Sequence, residues 1–185
     1  MTSFAQPVAS GAGVDEELLA LAKLEATCNA IRLRIASLAP DQLYRGTSEN
    51  VTIAELISEA VEREKAYLAA FRQALAETNP QLEEPRPGLS TMDRDFSDDL
   101  AAFFDLRRMT LDVMRTLNDA DWQRRVTLPD GSTVTLEWMA TTLQRYDAQM
   151  LQVLSRQRHA LLKMSGVDEL RDQGTAGKLG QNLAQ

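Results

Sequence analysis

The sequence predicts an all-α protein: a four-helix bundle with a long crossover between helices 2 and 3 and a small hairpin-like loop before helix 4. Three observations carry this. Four long stretches place apolar residues at steps of three and four, the spacing of one helix face. Between the second and third lies PQLEEPRPGLSTMDRD, whose three prolines exclude regular structure and whose length suits a crossover between non-adjacent or parallel helices. Ahead of the fourth, Asp130-Gly131 stands between VTL and TVT, a tight-turn signal flanked by strand formers.

Each element follows in order. Residues 1–13 are small, polar and glycine-containing and read as a flexible arm, with the bundle over 14–165. Asp15 is a candidate cap for the first helix, whose seam is Leu21, Leu24, Cys28, Ile31, Ile35 and Leu38. Pro40 ends it and opens a turn. Asn50 or Thr52 caps the second helix, with Ile53, Leu56, Ile57, Ala60, Val61, Tyr67, Leu68, Phe71 and Leu75 on its apolar face. The third helix follows Ser97 or Asp98 and carries Leu100, Phe103, Phe104, Leu111, Met114 and Leu117. Thr133 or Thr135 caps the last helix, whose seam of Leu136, Met139, Leu143, Tyr146, Met150 and Val153 is the most regular in the chain. It is expected to stop near Met164, leaving 166–185, rich in glycine and without aromatics, as a flexible tail.

Composition narrows the function classes. The chain has 185 residues, 44% apolar and 25% charged, which suits one soluble domain with a core of its own. A net charge of −7 with no basic tract argues against nucleic-acid binding, which needs a basic face. No apolar run approaches the roughly 20 residues of a membrane span, and the N-terminus lacks the pattern of a secretory signal. A single cysteine, Cys28, excludes a disulfide within the sequence and fits a reducing compartment. The expectation is a cytoplasmic protein.

Bundles build their sites from side chains on facing helices, so polar residues on the seams are the candidates. They are Glu64, with Glu59 at the margin, on the second helix, Arg107 on the third, and Tyr146 with Asp147 and Gln149 beside it on the fourth. An unpaired buried charge is costly, so Glu64 and Arg107 are expected to meet as a structural ion pair. The sharper alternative is a substrate-binding pair at a pocket mouth. Metal chemistry finds little support. His159 is the one histidine and lies off the seam, and cysteine-based zinc sites need more than one cysteine. A set of Glu59, Glu62 and Asp147 remains for a hard cation. Nucleophile triads, phosphate loops and dinucleotide fingerprints are missing. Cys28, inside a seam, reads as a small buried hydrophobe.

Three segments carry a family resemblance. Thr52–Phe71 (TIAELISEAVEREKAYLAAF) resembles the second helix of the DinB-like (YfiT-like) four-helix-bundle family. Asp99–Val126 is similar to that family's third helix and following loop, and Gly131–Leu154 to its last helix. Together with the crossover, the resemblance spans about residues 15–160. It implies a bundle, a homodimer, and a divalent metal held by three histidines, one from the second helix and two from the fourth. The matching positions here are Glu59, Tyr146 and Met150, so all three histidines are replaced, while Glu64, Arg107, Trp122 and Asp147 keep the family pattern. Tyrosine and methionine would fill the metal cavity, and the Tyr146 hydroxyl could bond Glu59. The candidate pocket is therefore Glu59, Glu64, Arg107, Tyr146, Asp147 and Met150, with no cofactor or metal and no assigned catalytic residue. The expected function is a non-catalytic, small-ligand-binding or stress-associated protein. The alternative is a thiol-dependent transferase or isomerase with a rebuilt or metal-free site, with Glu59 or Asp147 as base.

Overall fold

The computed structural model describes residues 12–47, 51–82 and 95–181, with side chains over 17–47, 51–82 and 95–166. Four long helices form the bundle: α1 (Ala12–Ile35), α2 (Ile53–Ala76), α3 (Phe96–Arg115) and α5 (Leu136–Gln181). A 3-10 turn (Pro40–Tyr44) follows α1, and a short helix, α4 (Asp119–Trp122), precedes a hairpin of β1 (Arg125–Thr127) and β2 (Thr133–Thr135).

Two apolar clusters give the helix directions. One gathers Leu24, Phe71, Leu111, Met114, Leu136 and Leu143. The other gathers Ile31, Ile53, Ile57, Phe96, Phe103 and Leu154. Chain order through the two clusters makes α1 and α5 run one way, and α2 and α3 the other. α2 packs on its parallel neighbour α3, α1 packs on α5, and the pairs α1–α3 and α2–α5 close the ring. Joining parallel neighbours requires a connection as long as the bundle, which is why the proline-rich segment is there. Most of that crossover, residues 83–94, lies outside the described residues, as do 1–11 of the expected arm.

Local chemistry explains the helix starts. Thr52 caps α2 by accepting from the Glu55 amide at 3.1 Å while the Glu55 carboxylate accepts from the Thr52 amide at 2.7 Å. Thr135 accepts from the Trp138 amide at 3.2 Å and so opens α5. α3 starts earlier than Ser97 or Asp98, because Asp95 caps it by accepting from the Ser97 amide. Phe96, buried in the second cluster, anchors that earlier start, and its amide donates to the Tyr44 hydroxyl at 3.0 Å. α1 is already helical at Ala12, so Asp15 lies within it rather than capping it. α5 passes Met164 and Gly166 and runs helical to Gln181, through the stretch expected as a tail. Glycine in a helix interior costs about 1 kcal/mol relative to alanine but does not force an end.

The hairpin pairs Val126 with Val134, and Gly131 takes φ 83° in its turn, the left-handed conformation that glycine supplies without strain. Val126 is fully buried against the first cluster. The chain after α2 docks on β1: Leu82 donates to the Thr127 carbonyl at 2.8 Å, and the Thr127 amide donates to the Pro80 carbonyl at 2.9 Å. α4, capped by Asn118, places Trp122 in the same cluster. The hairpin and α4 thus plug one end of the bundle.

Candidate functional site

At mid-height, between the two apolar clusters, all four long helices contribute a polar residue: Thr27 from α1, Glu64 from α2, Arg107 from α3 and Asp147 from α5. Each occupies the inward helical position between apolar neighbours, which is why the sequence spacing delivers it to the core. Arg107 is the centre. Its Nε and Nη2 donate to Glu64 at 3.0 and 2.8 Å. Nη1 and Nη2 donate to Asp147 at 2.5 and 2.9 Å, and Nη1 also donates to the Leu24 carbonyl at 3.0 Å. A guanidinium has five N–H donors, and here every one is satisfied. Thr27 completes the layer by donating to Asp147 Oδ2 at 2.7 Å. Burial works against the Arg107 charge, but the hydrogen bonds it donates to Asp147 and the charge of Glu64 outweigh it and hold its pKa above the ordinary value. The layer is a closed, structural ion cluster. Glu64 and Arg107 are each 1% exposed, so the reading as a substrate-binding pair at a pocket mouth does not hold.

The other candidates lie outside this layer. Tyr146 is 39% exposed and is not core; the inward position of α5 belongs to Asp147, its neighbour, with Leu143 and Met150 before and after. Glu59 is exposed and pairs with Arg63 one turn on. The Arg63 guanidinium in turn lies over the Tyr146 ring, 4.6 Å from its centroid. Glu59 therefore meets Arg63, not the Tyr146 hydroxyl. Met150 is buried in the second apolar cluster. The structure thus brings Glu64, Arg107 and Asp147 together, and leaves Glu59 and Tyr146 on the α2–α5 surface, linked through Arg63.

Spacing offered a signal for two residues not singled out. Thr27 stands three after Leu24 and four before Ile31, the same inward phase as Cys28's seam. Gln157, fully buried, continues the α5 phase of Asp147 and Leu154, and its side-chain amide donates to the Val51 carbonyl. Cys28 itself is half-buried, and burial pushes its thiol up from the ordinary 9.0. His159 is exposed, as expected.

The three positions that the family resemblance matches to metal ligands carry side chains that do not fit a divalent ion. Glu59 faces Arg63, Tyr146 lies beneath a guanidinium, and Met150 offers a thioether buried in the second apolar cluster. Hard cations take several oxygen ligands and zinc sites are built mainly on imidazole or thiolate; here the one carboxylate is paired with a guanidinium and the third position is a thioether, so this donor set suits neither. Nor do Glu59, Glu62 and Asp147 converge. Glu62 bonds Lys65 at 2.6 Å, while Asp147 is committed to Arg107 in the core. Among the described residues, no group of three or more histidine, cysteine or acidic residues is placed to hold a metal.

No curated protein matches the chain. Among solved structures, YfiT from Bacillus subtilis, described as a probable metal-dependent hydrolase with an unusual four-helix bundle topology, superposes with a TM-score of 0.68. At 17% identity, and covering 84% of this chain and 94% of that one, it shows a shared fold. Residues 23–154, from inside α1 through the hairpin to the middle of α5, match the DinB superfamily. The span includes the whole polar layer, and the chain belongs to that superfamily.

Proposed function

We propose that this protein is a DinB-like bundle that works without the family's metal, as a non-catalytic, small-ligand-binding protein using the α2–α5 surface where the metal would lie. The observation that supports this best is Arg63. Its guanidinium pairs with Glu59 and covers Tyr146, so a protein-borne cation meets two of the three family ligand positions, and Met150 fills the third. The hydrolase description attached to YfiT implies a metal-activated nucleophile; the residues at the corresponding positions here supply no such ligand set.

Elemental analysis tests the reading: purified protein is expected to carry no stoichiometric zinc, nickel or iron. One ion per chain, lost on Glu59→Ala, would overturn it. The same reading takes the protein as a homodimer. Leu18 on α1 and Trp138 on α5 are 59% and 44% exposed at the same end of neighbouring helices, an apolar surface that a second copy would cover.

A further inference from the structure

Arg107, at the centre of the polar layer, and Arg63, beside it, differ in one respect. Arg107 has every donor satisfied, whereas Arg63 makes a single side-chain hydrogen bond among the described residues, to Glu59. Arg63 is nevertheless held in place, with only 23% of its side chain exposed and its guanidinium stacked on Tyr146. Its remaining N–H donors meet no acceptor among the described residues. One turn along α2 from Arg63, Tyr67 is half-buried, and the charges of Arg63 and Arg145 and the phenol of Tyr146 all bear on it. Neither Tyr67 nor Tyr146 donates its hydroxyl to any described residue. Burial and the neighbouring Tyr146 push the Tyr67 phenol up, so it stays a donor across the physiological range. Arg145 donates to Thr142 at 3.1 Å and is otherwise exposed. Arg63, Tyr67, Tyr146 and Arg145 therefore make a patch on the α2–α5 face that is rich in pre-positioned donors and, apart from Glu59, poor in acceptors.

We propose that this patch binds a small monocarboxylate, with the Arg63 guanidinium and the Tyr67 hydroxyl as its principal donors. The inference rests on the α2–α5 binding reading above and names its ligand class. Arginine held by stacking loses little freedom on pairing with a planar carboxylate, which matches its fork geometry. Charge selects a monoanion. Glu59 offsets one of the two arginines, and Glu64 and Asp147, the chain neighbours of Arg63 and Tyr146, put two carboxylates against one guanidinium directly beneath. A phosphate dianion would be repelled more strongly by that excess negative charge than a monoanion. The Tyr146 ring beside the donors suits a carboxylate with a flat apolar body.

The test is thermal shift and isothermal titration of the full chain with benzoate and acetate, against benzamide and inorganic phosphate, before and after exhaustive chelation. Saturable benzoate binding that benzamide and phosphate do not reproduce is expected. It should weaken about tenfold or more in Arg63→Met and by a smaller factor in Tyr67→Phe, the loss associated with a bond to a charged group and with one hydroxyl donor. Circular dichroism of both variants confirms the fold, and Tyr67→Phe, which removes one oxygen, keeps the test available if Arg63→Met unfolds. Equal binding by benzamide, binding unchanged in both variants, or none in the chelated wild type would overturn the carboxylate site. A stoichiometric metal in the unchelated sample whose removal abolishes binding would overturn the metal-free reading as well, so the two failures are distinguishable.

Discussion

Arg107 is a charge buried to 1% exposure and kept there by five hydrogen bonds, and its energetics follow from that balance. A buried ion cluster adds little net stability over apolar packing, because desolvation offsets the attraction, but breaking it leaves charges stranded. Arg107→Ala leaves Glu64 and Asp147 buried without a counter-charge. It is expected to cost about 3–5 kcal/mol in urea denaturation, and Arg107→Lys should recover only part of this because an ammonium has three donors and no fork. Thr27→Val removes the one hydroxyl donor to Asp147 and should cost about 1–2 kcal/mol. Cys28 gives a pH-dependent check. Burial raises its pKa above 9.0, so the native thiol ionises later than an unfolded one. Alkylation between pH 8 and 9 should therefore be slower in the folded protein than in the denatured chain, and the gap should close on unfolding. Equal rates in the two states would show that the thiol is not protected.

The elements owe their boundaries to short-range chemistry as much as to packing. The Thr52–Glu55 capping box starts α2, and Thr52→Ala should lower stability by about 1 kcal/mol, read from the denaturation midpoint at unchanged slope. In the hairpin, Gly131 sits at φ 83° with open space around the position of a Cβ. Gly131→Ala is therefore a backbone substitution without a clash and should cost on the order of 1 kcal/mol. The α5 seam shows what periodicity can and cannot read. Steps of three and four fit Tyr146 and Asp147 almost equally, since adjacent residues are 100° apart and an apolar stripe is at least that wide. Hydropathy chooses tyrosine for the core. The structure places Asp147 there instead, because Arg107 and Thr27 supply the partners that make a buried carboxylate tolerable.

Over the whole molecule, the polar layer lies at one height between two apolar clusters, and its members come one from each long helix. Sliding α2, α3 or α5 by a turn would strand a charge, and sliding α1 would take away the Thr27 donor and the Leu24 acceptor, so the layer also sets the register of the bundle. The proposed pairing of copies belongs to this scale as well. If Leu18 and Trp138 form the dimer surface, Trp138→Glu should convert the protein to a monomer in sedimentation velocity while the circular dichroism spectrum is retained; an unchanged sedimentation coefficient would place the contact elsewhere. Among the described residues, no helix is long and apolar enough to cross a membrane. The sequence by itself determined the four helices, the crossover, the hairpin and the meeting of Glu64 with Arg107, since each depends on local spacing, on turn residues or on the cost of a lone buried charge. Only the tertiary structure decided that Asp147 and Thr27 complete the buried cluster, and that the Arg63 guanidinium lies over Tyr146. Those contacts join residues from different helices, and what chooses between neighbouring positions on a helix is the partner waiting across the interface.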